Sequence, residues 1–313
     1  MQPLKLTPIY EKTIWAGERM PAIRHRPSLG EGISWEISVH PHAQSAVSEG
    51  SMAGHALRTL IDADPVGMVG SNTSDKEFLR VALLDAKEPL SVQVHPDEAY
   101  AQRNESDHGK PECWYILGAD AGATVVAGCN LATKDEVAAA IADDTIERYL
   151  HCIPVQEGDF ISVPAGTIHA LGAGIFALEI GTNSNTTYRF YDYHRTDALG
   201  NERTLHIQKS LDVLNLKQHA GSMHTALDGV PKSKALPSVA EFDVMLIDIA
   251  DSHVLMANQD RFRTLSCVRG ACQLRCEGEM TKLACTESVF VPAASAPLTI
   301  EGNCRVLVAA PHR

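Results

Sequence analysis

Residues 158–170 read GDFISVPAGTIHA, and residues 286–298 read TESVFVPAASAPL. Laid on one another without a gap, they share Val163-Pro164-Ala165 and Val291-Pro292-Ala293. Each is a short apolar run closed by a proline, the pattern of a strand entering a turn. The same comparison sets Glu112 opposite Thr264, and Gly118 on Gly270. One strand unit thus recurs in both halves, but His169 of the first faces Pro297 of the second. The second half reads as a related barrel stripped of polar site residues.

Outward from these units the pattern stays extended. Residues 1–50 hold short pieces broken by Pro and Gly. Phe78 to Pro96 is strand-like, as are Glu112–Gly118 and Gly174–Glu179. Helical signals are few. Residues 53–70 are rich in Ala and Leu, and Leu205–Leu214 has helical spacing. Thr133–Leu150 opens with Thr-Lys-Asp-Glu, in which Glu136 can close a capping box on Thr133. Many short strands between Gly and Pro turns predict a mainly β protein, a jelly-roll or antiparallel barrel with a few helices. Residues 217–240 are polar with Gly and Pro, and read as a linker. The expected division is a catalytic domain over 1–216, the linker, and a smaller C-terminal β domain over 241–313.

Composition narrows the function. A formal charge of −12 with no basic block argues against a nucleic-acid partner. No stretch approaches the ~20 apolar residues of a membrane span. Met1–Ile9 lacks the order of a signal peptide, so a cytoplasmic protein is expected. The eight cysteines include no Cys-x-x-Cys pair and read as reduced thiols packed as small apolar groups. Gly172-Ala-Gly174 alone is too weak for a dinucleotide fingerprint, and no phosphate-cradling Gly-x-x-x-x-Gly-Lys loop is present.

The chemistry concentrates where alternation breaks the apolar rule. In Ser91-Val92-Gln93-Val94-His95 the two valines share one face of a strand and the three polar residues share the other. Polar groups pointing into a barrel must be hydrogen-bonded, liganded or wet. Glu112 starts the next strand and His169 ends a third. Two imidazoles, a carboxylate and an amide oxygen suit a zinc-like ion, with a position left for water or substrate. Structural readings compete elsewhere. Lys110 and Arg189 could be solvated charges, while Trp35 and Glu36 read as a core anchor and its partner. His40 and His42 read as strand-end histidines rather than a metal pair.

LSVQVHPDEAYA (90–101), GKPECWYIL (109–117), VPAGTIHALGAG (163–174) and NSNTTYRFYDYHR (183–195) closely resemble type I phosphomannose isomerases of the bacterial short form. GISWEISVHP (32–41) and LHIQKSLDVL (205–214) extend the resemblance in the same order, so that it covers roughly residues 1–215. It implies a cupin fold and interconversion of mannose 6-phosphate and fructose 6-phosphate with one Zn²⁺ or other divalent ion per chain. It also implies Gln93, His95, Glu112 and His169 as metal ligands, and Arg189, Lys110 and Glu179 as catalytic residues. Ser91, Lys110 and Asn185 would line the substrate site, Ser91 and Lys110 orienting the phosphate end. One departure stands out: Asn185 occupies a position where many members carry Asp.

Such an isomerisation removes a carbon-bound proton and stabilises the resulting enediolate. Glu179, a liganded water or Lys110 could serve as the base. Two other readings remain: a cupin dioxygenase using the same His/Glu shell for iron, and a non-catalytic sugar-binding barrel, which Asn185 would favour.

Overall fold

A computed structural model describes residues 1–73, 77–197, 199–227, 230–237 and 239–312. Its first half is a two-layered β sandwich. One layer is a seven-stranded antiparallel sheet in the order Gly221–His224, Asp159–Val163, Glu112–Ala119, Ile175–Thr182, Leu79–Ala86, Glu31–Ile37, Ile9–Lys12. The facing layer joins Leu150–Pro154, Thr124–Cys129 and Ala170–Leu171. A bridge between Gln93 and His169 continues it to the paired strands Val92–Val94 and Tyr188–Tyr191. The mainly β, cupin-type reading of the sequence holds.

Strand pleating sorts the side chains. In Leu79–Ala86, where every residue is buried, Leu79, Val81 and Leu83 join a core shared with the C-terminal half. Leu84 and Ala86 point the other way, into the sandwich. Cys113 and Tyr115 face the shared core, while Trp114 and Ile116 face the sandwich interior. By the same period of two, Arg80, Glu112 and Glu179 fall on the inner face. Across from them Val92 and Val94 pack outward with Phe190, Val137 and Leu214, which leaves Ser91, Gln93 and His95 inward. The alternation read in residues 91–95 is realised.

The second half repeats the first. Strand Arg263–Cys276 pairs with Ser288–Val291 on one side and Cys304–Pro311 on the other. Glu112–Ala119 is paired in the same way with Asp159–Val163 and Ile175–Thr182. Thr264 lies opposite Phe290, and Glu112 opposite Val163, within one residue of the register that the repeat predicts. The inside of this second unit is filled by Leu265, Leu274, Leu283, Val289, Leu298, Ile300 and Val306, with Cys267, Cys272 and Cys304 among them. No cysteine is in a disulfide. Phe78 of the first half stacks on Phe262 and Phe290 of the second, with ring centroids 4.9 and 5.8 Å away.

Three local expectations change. Two segments within 217–240 join the sheets: Gly221–His224 pairs with Asp159–Val163, and Lys232–Ala235 pairs with Phe242–Ile249. Polar, turn-rich composition is also what an exposed edge strand shows, so the two could not be separated by composition. The first residues also cross over, since Leu4–Lys5 pairs with Ser288–Val291. The helix expected over Thr133–Leu150 has its capping box but spans only Lys134–Ala142. Asp144 then takes a positive φ of 53°, which ends the helix, and a short 3-10 turn leads into the strand at Leu150. Leu205–Leu214 holds the helix Ile207–Val213.

Candidate active site

Gln93, His95, Glu112 and His169 arrive from three separate strands and loops and converge inside the sandwich. Ligand atoms of His95, Glu112 and His169 lie within 4.8 Å of one another, and all three residues are buried. His95 Nε2 is 3.3 Å from Glu112 Oε2, and His169 Nε2 is 3.5 Å from Glu112 Oε1. The Gln93 amide lies 3.4 Å from His169 Nε2. Turning that amide over would present its oxygen to the same point.

The chemistry of the set fits a divalent cation. His95 Nδ1 faces the Thr186 carbonyl at 3.0 Å, and His169 Nδ1 faces the Thr167 carbonyl at 2.8 Å. Those contacts place a proton on each Nδ1 and leave each Nε2 lone pair directed at Glu112, the arrangement of liganding histidines. Burial, then the Lys110 charge, pushes His95 down to about 3. Burial likewise lowers His169, so both imidazoles are neutral, as coordination requires. Burial alone would raise the Glu112 carboxyl, but the Lys110 charge holds it well below the ordinary range. It is a carboxylate, yet neither oxygen accepts a well-formed hydrogen bond. Lys110 stands against Oε2, but a fully buried anion whose oxygens accept no well-formed hydrogen bond, with Oε1 facing only the His169 imidazole, is costly unless a further cation meets it.

Lys110 sits at this end. Its Nζ is 2.9 Å from Glu112 Oε2 and 3.0 Å from His95 Nε2. Burial lowers its pKa to about 8, with Glu112 opposing the shift and Arg80 adding to it. Ser91, expected to share the phosphate end with Lys110, lies against Arg189, whose Nε donates to its Oγ at 3.0 Å.

A cavity of about 310 Å³ opens beside the cluster, lined among others by Ser91, Gln93, Lys110, Glu179, Asn185 and Arg189. The residues expected from the resemblance are therefore brought together. Glu179 is committed to a buried ion pair with Arg80, and Trp114 Nε1 donates to its other oxygen at 3.3 Å. Arg80 also donates to the Ser184 carbonyl and lies 4.7 Å over the Trp35 ring. Asn185 is at the lip, shared with a second cavity that holds His40, Arg58, Asp107 and His108. Asp107 accepts from the Asn185 backbone, Thr186 Oγ1 and Ser184 Oγ, and so fixes the loop whose Thr186 carbonyl orients His95. Burial opposes ionisation of Asp107, but these donors and His40 hold it well below the usual carboxylate range. His40 and His42 turn to different carboxylates, Asp107 at 3.5 Å and Glu11 at 2.6 Å, in keeping with their structural reading.

Sequence reasoning missed Arg80, Asp107, Asp192 and Arg203. Arg80 was discoverable: an arginine within the otherwise apolar run Leu79–Leu84 must be paired. Arg203, in a polar loop 14 residues beyond Arg189, carries no such signal.

Comparison with known proteins agrees with this geometry. Residues 4–141 match the model of the phosphomannose isomerase type I catalytic domain, and residues 232–311 match that of the mannose-6-phosphate isomerase cupin domain. A mannose-6-phosphate isomerase of Streptococcus mutans is 42% identical over 226 residues, 71% of this chain and 70% of its own. A probable mannose-6-phosphate isomerase of Bacillus subtilis is 34% identical over 99% of both chains. The crystal structure of a Bacillus subtilis mannose 6-phosphate isomerase superposes with a TM-score of 0.86 at 31% identity, covering 99% of each chain. Both halves of the molecule are accounted for in these matches, and the chain belongs to the type I mannose-6-phosphate isomerase family of the cupin superfamily.

Proposed function

We propose that this protein interconverts D-mannose 6-phosphate and D-fructose 6-phosphate, with one zinc ion held by Gln93, His95, Glu112 and His169. The observation that carries the reading is the buried Glu112 carboxylate. Neutral His95 and His169 flank it, neither oxygen accepts a well-formed hydrogen bond although Lys110 stands 2.9 Å from one of them, and it lies beside a cavity lined by Arg80, Lys110, Arg189 and Arg203. Imidazole with carboxylate favours zinc among divalent ions. When bound, such an ion supplies a Lewis acid for the oxygens on C1 and C2 of the open-chain sugar.

The chain's own groups supply the rest. Lys110, with a pKa near 8, can hold or release a proton close to neutral pH. It stands beside the metal ligands, where C1 and C2 would lie, and we assign it the proton transfer. Glu179 is less suited to be the base, since both its oxygens are engaged. Its part is to hold Arg80, whose charge helps keep Lys110 low. Asn185 has no group that titrates near neutral pH, and Asp107 behind it is too acidic to replace a missing base. Trp35, Trp15 and Leu90 wall the cavity and exclude water, which strengthens charge stabilisation inside it.

The test is turnover of mannose 6-phosphate before and after chelation, with divalent ions restored one at a time. Activity lost to chelator and recovered with zinc supports the whole reading. Metal-replete, folded protein without turnover overturns it and favours a binding barrel. A second measurement addresses Lys110. Lys110→Ala is expected to lower kcat by about 10²–10⁴-fold, the usual contribution of a positioned acid or base. An undiminished kcat would move the proton transfer to another group.

A further inference from the structure

Three arginines surround one buried carboxylate at the Ser91 end of the cavity. Arg203 donates Nε and Nη2 to the two oxygens of Asp192, at 2.7 and 2.6 Å. Arg195 adds its Nη2 to the same carboxylate at 2.5 Å. Arg189 donates Nε to Ser91 Oγ at 3.0 Å and Nη1 to the Thr204 carbonyl at 3.2 Å. Three guanidinium charges against one carboxylate leave an excess of two positive charges. Burial and then the Arg203 charge both work against the Arg189 charge.

Counting donors separates the three. Arg195 spends Nε and Nη2 on Asp192 and Nη1 on the Pro89 carbonyl, so every nitrogen is used. Arg203 keeps Nη1, and Arg189 keeps Nη2, without an acceptor among the described residues. Ser91 Oγ accepts from Arg189 and still has its own proton to give. Arg189, Arg203 and Ser91 line the cavity, whereas Arg195 is not part of its wall. Ser91 lies two residues from Gln93 along the strand, about 7 Å, comparable to the span of an extended six-carbon chain. A sugar with C1 and C2 at the metal ligands therefore brings the substituent on C6 to this point.

We propose that Arg203, through its free Nη1, is a substrate-binding residue. With Arg189 Nη2 and the Ser91 hydroxyl it would form a seat for the phosphate dianion, while Asp192 aims Arg203 by its two-pronged contact and Arg195, outside the cavity wall, takes no part in the seat. This deepens the isomerase reading and rests on it for the identity of the sugar, but the anion seat can be tested without turnover.

The experiment compares the wild type, Arg203→Ala, Arg203→Lys and Arg195→Ala as metal-loaded proteins. It measures binding of inorganic phosphate by calorimetry, its competitive inhibition constant, and KM and kcat for mannose 6-phosphate. Loss of a charge-assisted contact is expected to weaken phosphate about 10–100-fold in Arg203→Ala, with KM rising by more than kcat falls. Arg203→Lys, which keeps the charge without the fork, should fall between and remain informative if the alanine variant does not fold. Arg195→Ala should leave phosphate affinity within about threefold of wild type. Unchanged phosphate binding in both Arg203 variants overturns the proposal. So does an equal loss in Arg195→Ala, which would make Arg203 a prop for Asp192. Phosphate binding that depends on Arg203 in a wild type without turnover would sustain the seat and strike only the isomerase reading.

Discussion

Glu112→Gln is expected to abolish stable metal binding and to lower kcat/KM by roughly 10³-fold or more. The substitution keeps shape and removes one charge, so the fold should survive it. Gln93 and the two neutral histidines offer no anion, which makes Glu112 the sole negative ligand against a dication. Losing the ion forfeits several kcal/mol of charge stabilisation in the reaction, and each ~1.4 kcal/mol is a factor of ten in rate. Metal analysis after gel filtration and steady-state kinetics would check both parts. A variant that retains its metal and most of its turnover would place the centre elsewhere. The effect on stability should be small or favourable, because the unsatisfied buried carboxylate disappears, though Lys110 then loses its anionic partner.

Arg305→Ala should produce the largest loss of stability, about 3–5 kcal/mol, the range for breaking a buried ion pair by removing one partner. Arg305 is 1% exposed and makes a two-pronged contact with Asp248 at 2.6 and 2.7 Å. Its remaining donors leave the C-terminal half altogether. Nη1 reaches Tyr115 Oη at 3.0 Å on a central strand of the catalytic sheet, and Nη2 reaches the Ala226 carbonyl at 2.6 Å. Truncation strands Asp248 and removes one buried polar tie between the halves. Lys232 Nζ, 4.0 Å from Asp248, can recover a part of the charge balance. Denaturant titration followed by fluorescence would read the change. A loss under 1 kcal/mol would mean that the shared apolar core, with Phe78, Phe262 and Phe290 at its centre, joins the halves unaided. The tie bears on function too, since Tyr115 and Glu112 belong to the same strand.

The sequence by itself determined the fold class and the repeat, and it pointed to the candidate metal ligands. Period-two alternation in residues 91–95, and the Val-Pro-Ala units of the two halves, are local patterns that any strand must obey. Gln93, His95, Glu112 and His169 were visible because polar side chains on an inward strand face have few structural uses. Four ordered motifs then linked them to a family. The helix at Lys134–Ala142 was announced by its capping box, although its end was not, because Asp144 adopts a left-handed turn that its residue type permits but does not require.

Only the tertiary structure decided how the charged groups divide among themselves. Lys110 and Ser91 were grouped by resemblance, and the structure gives them different partners, Glu112 for one and Arg189 for the other. Glu179 looks like a base on paper. Its pairing with Arg80, 99 residues earlier in the chain, is something no local spacing records. The role of Arg203 depends on which of its nitrogens Asp192 consumes, a matter of angles between loops. Residues 217–240 were polar enough to be a linker, and within them Gly221–His224 and Lys232–Ala235 pair as strands with sheet edges of the two halves. Local sequence encodes strand, turn and cap through short-range sterics and hydrogen bonding. Which carboxylate meets which cation is settled by contacts between residues far apart in the chain, and no spacing along the sequence records it.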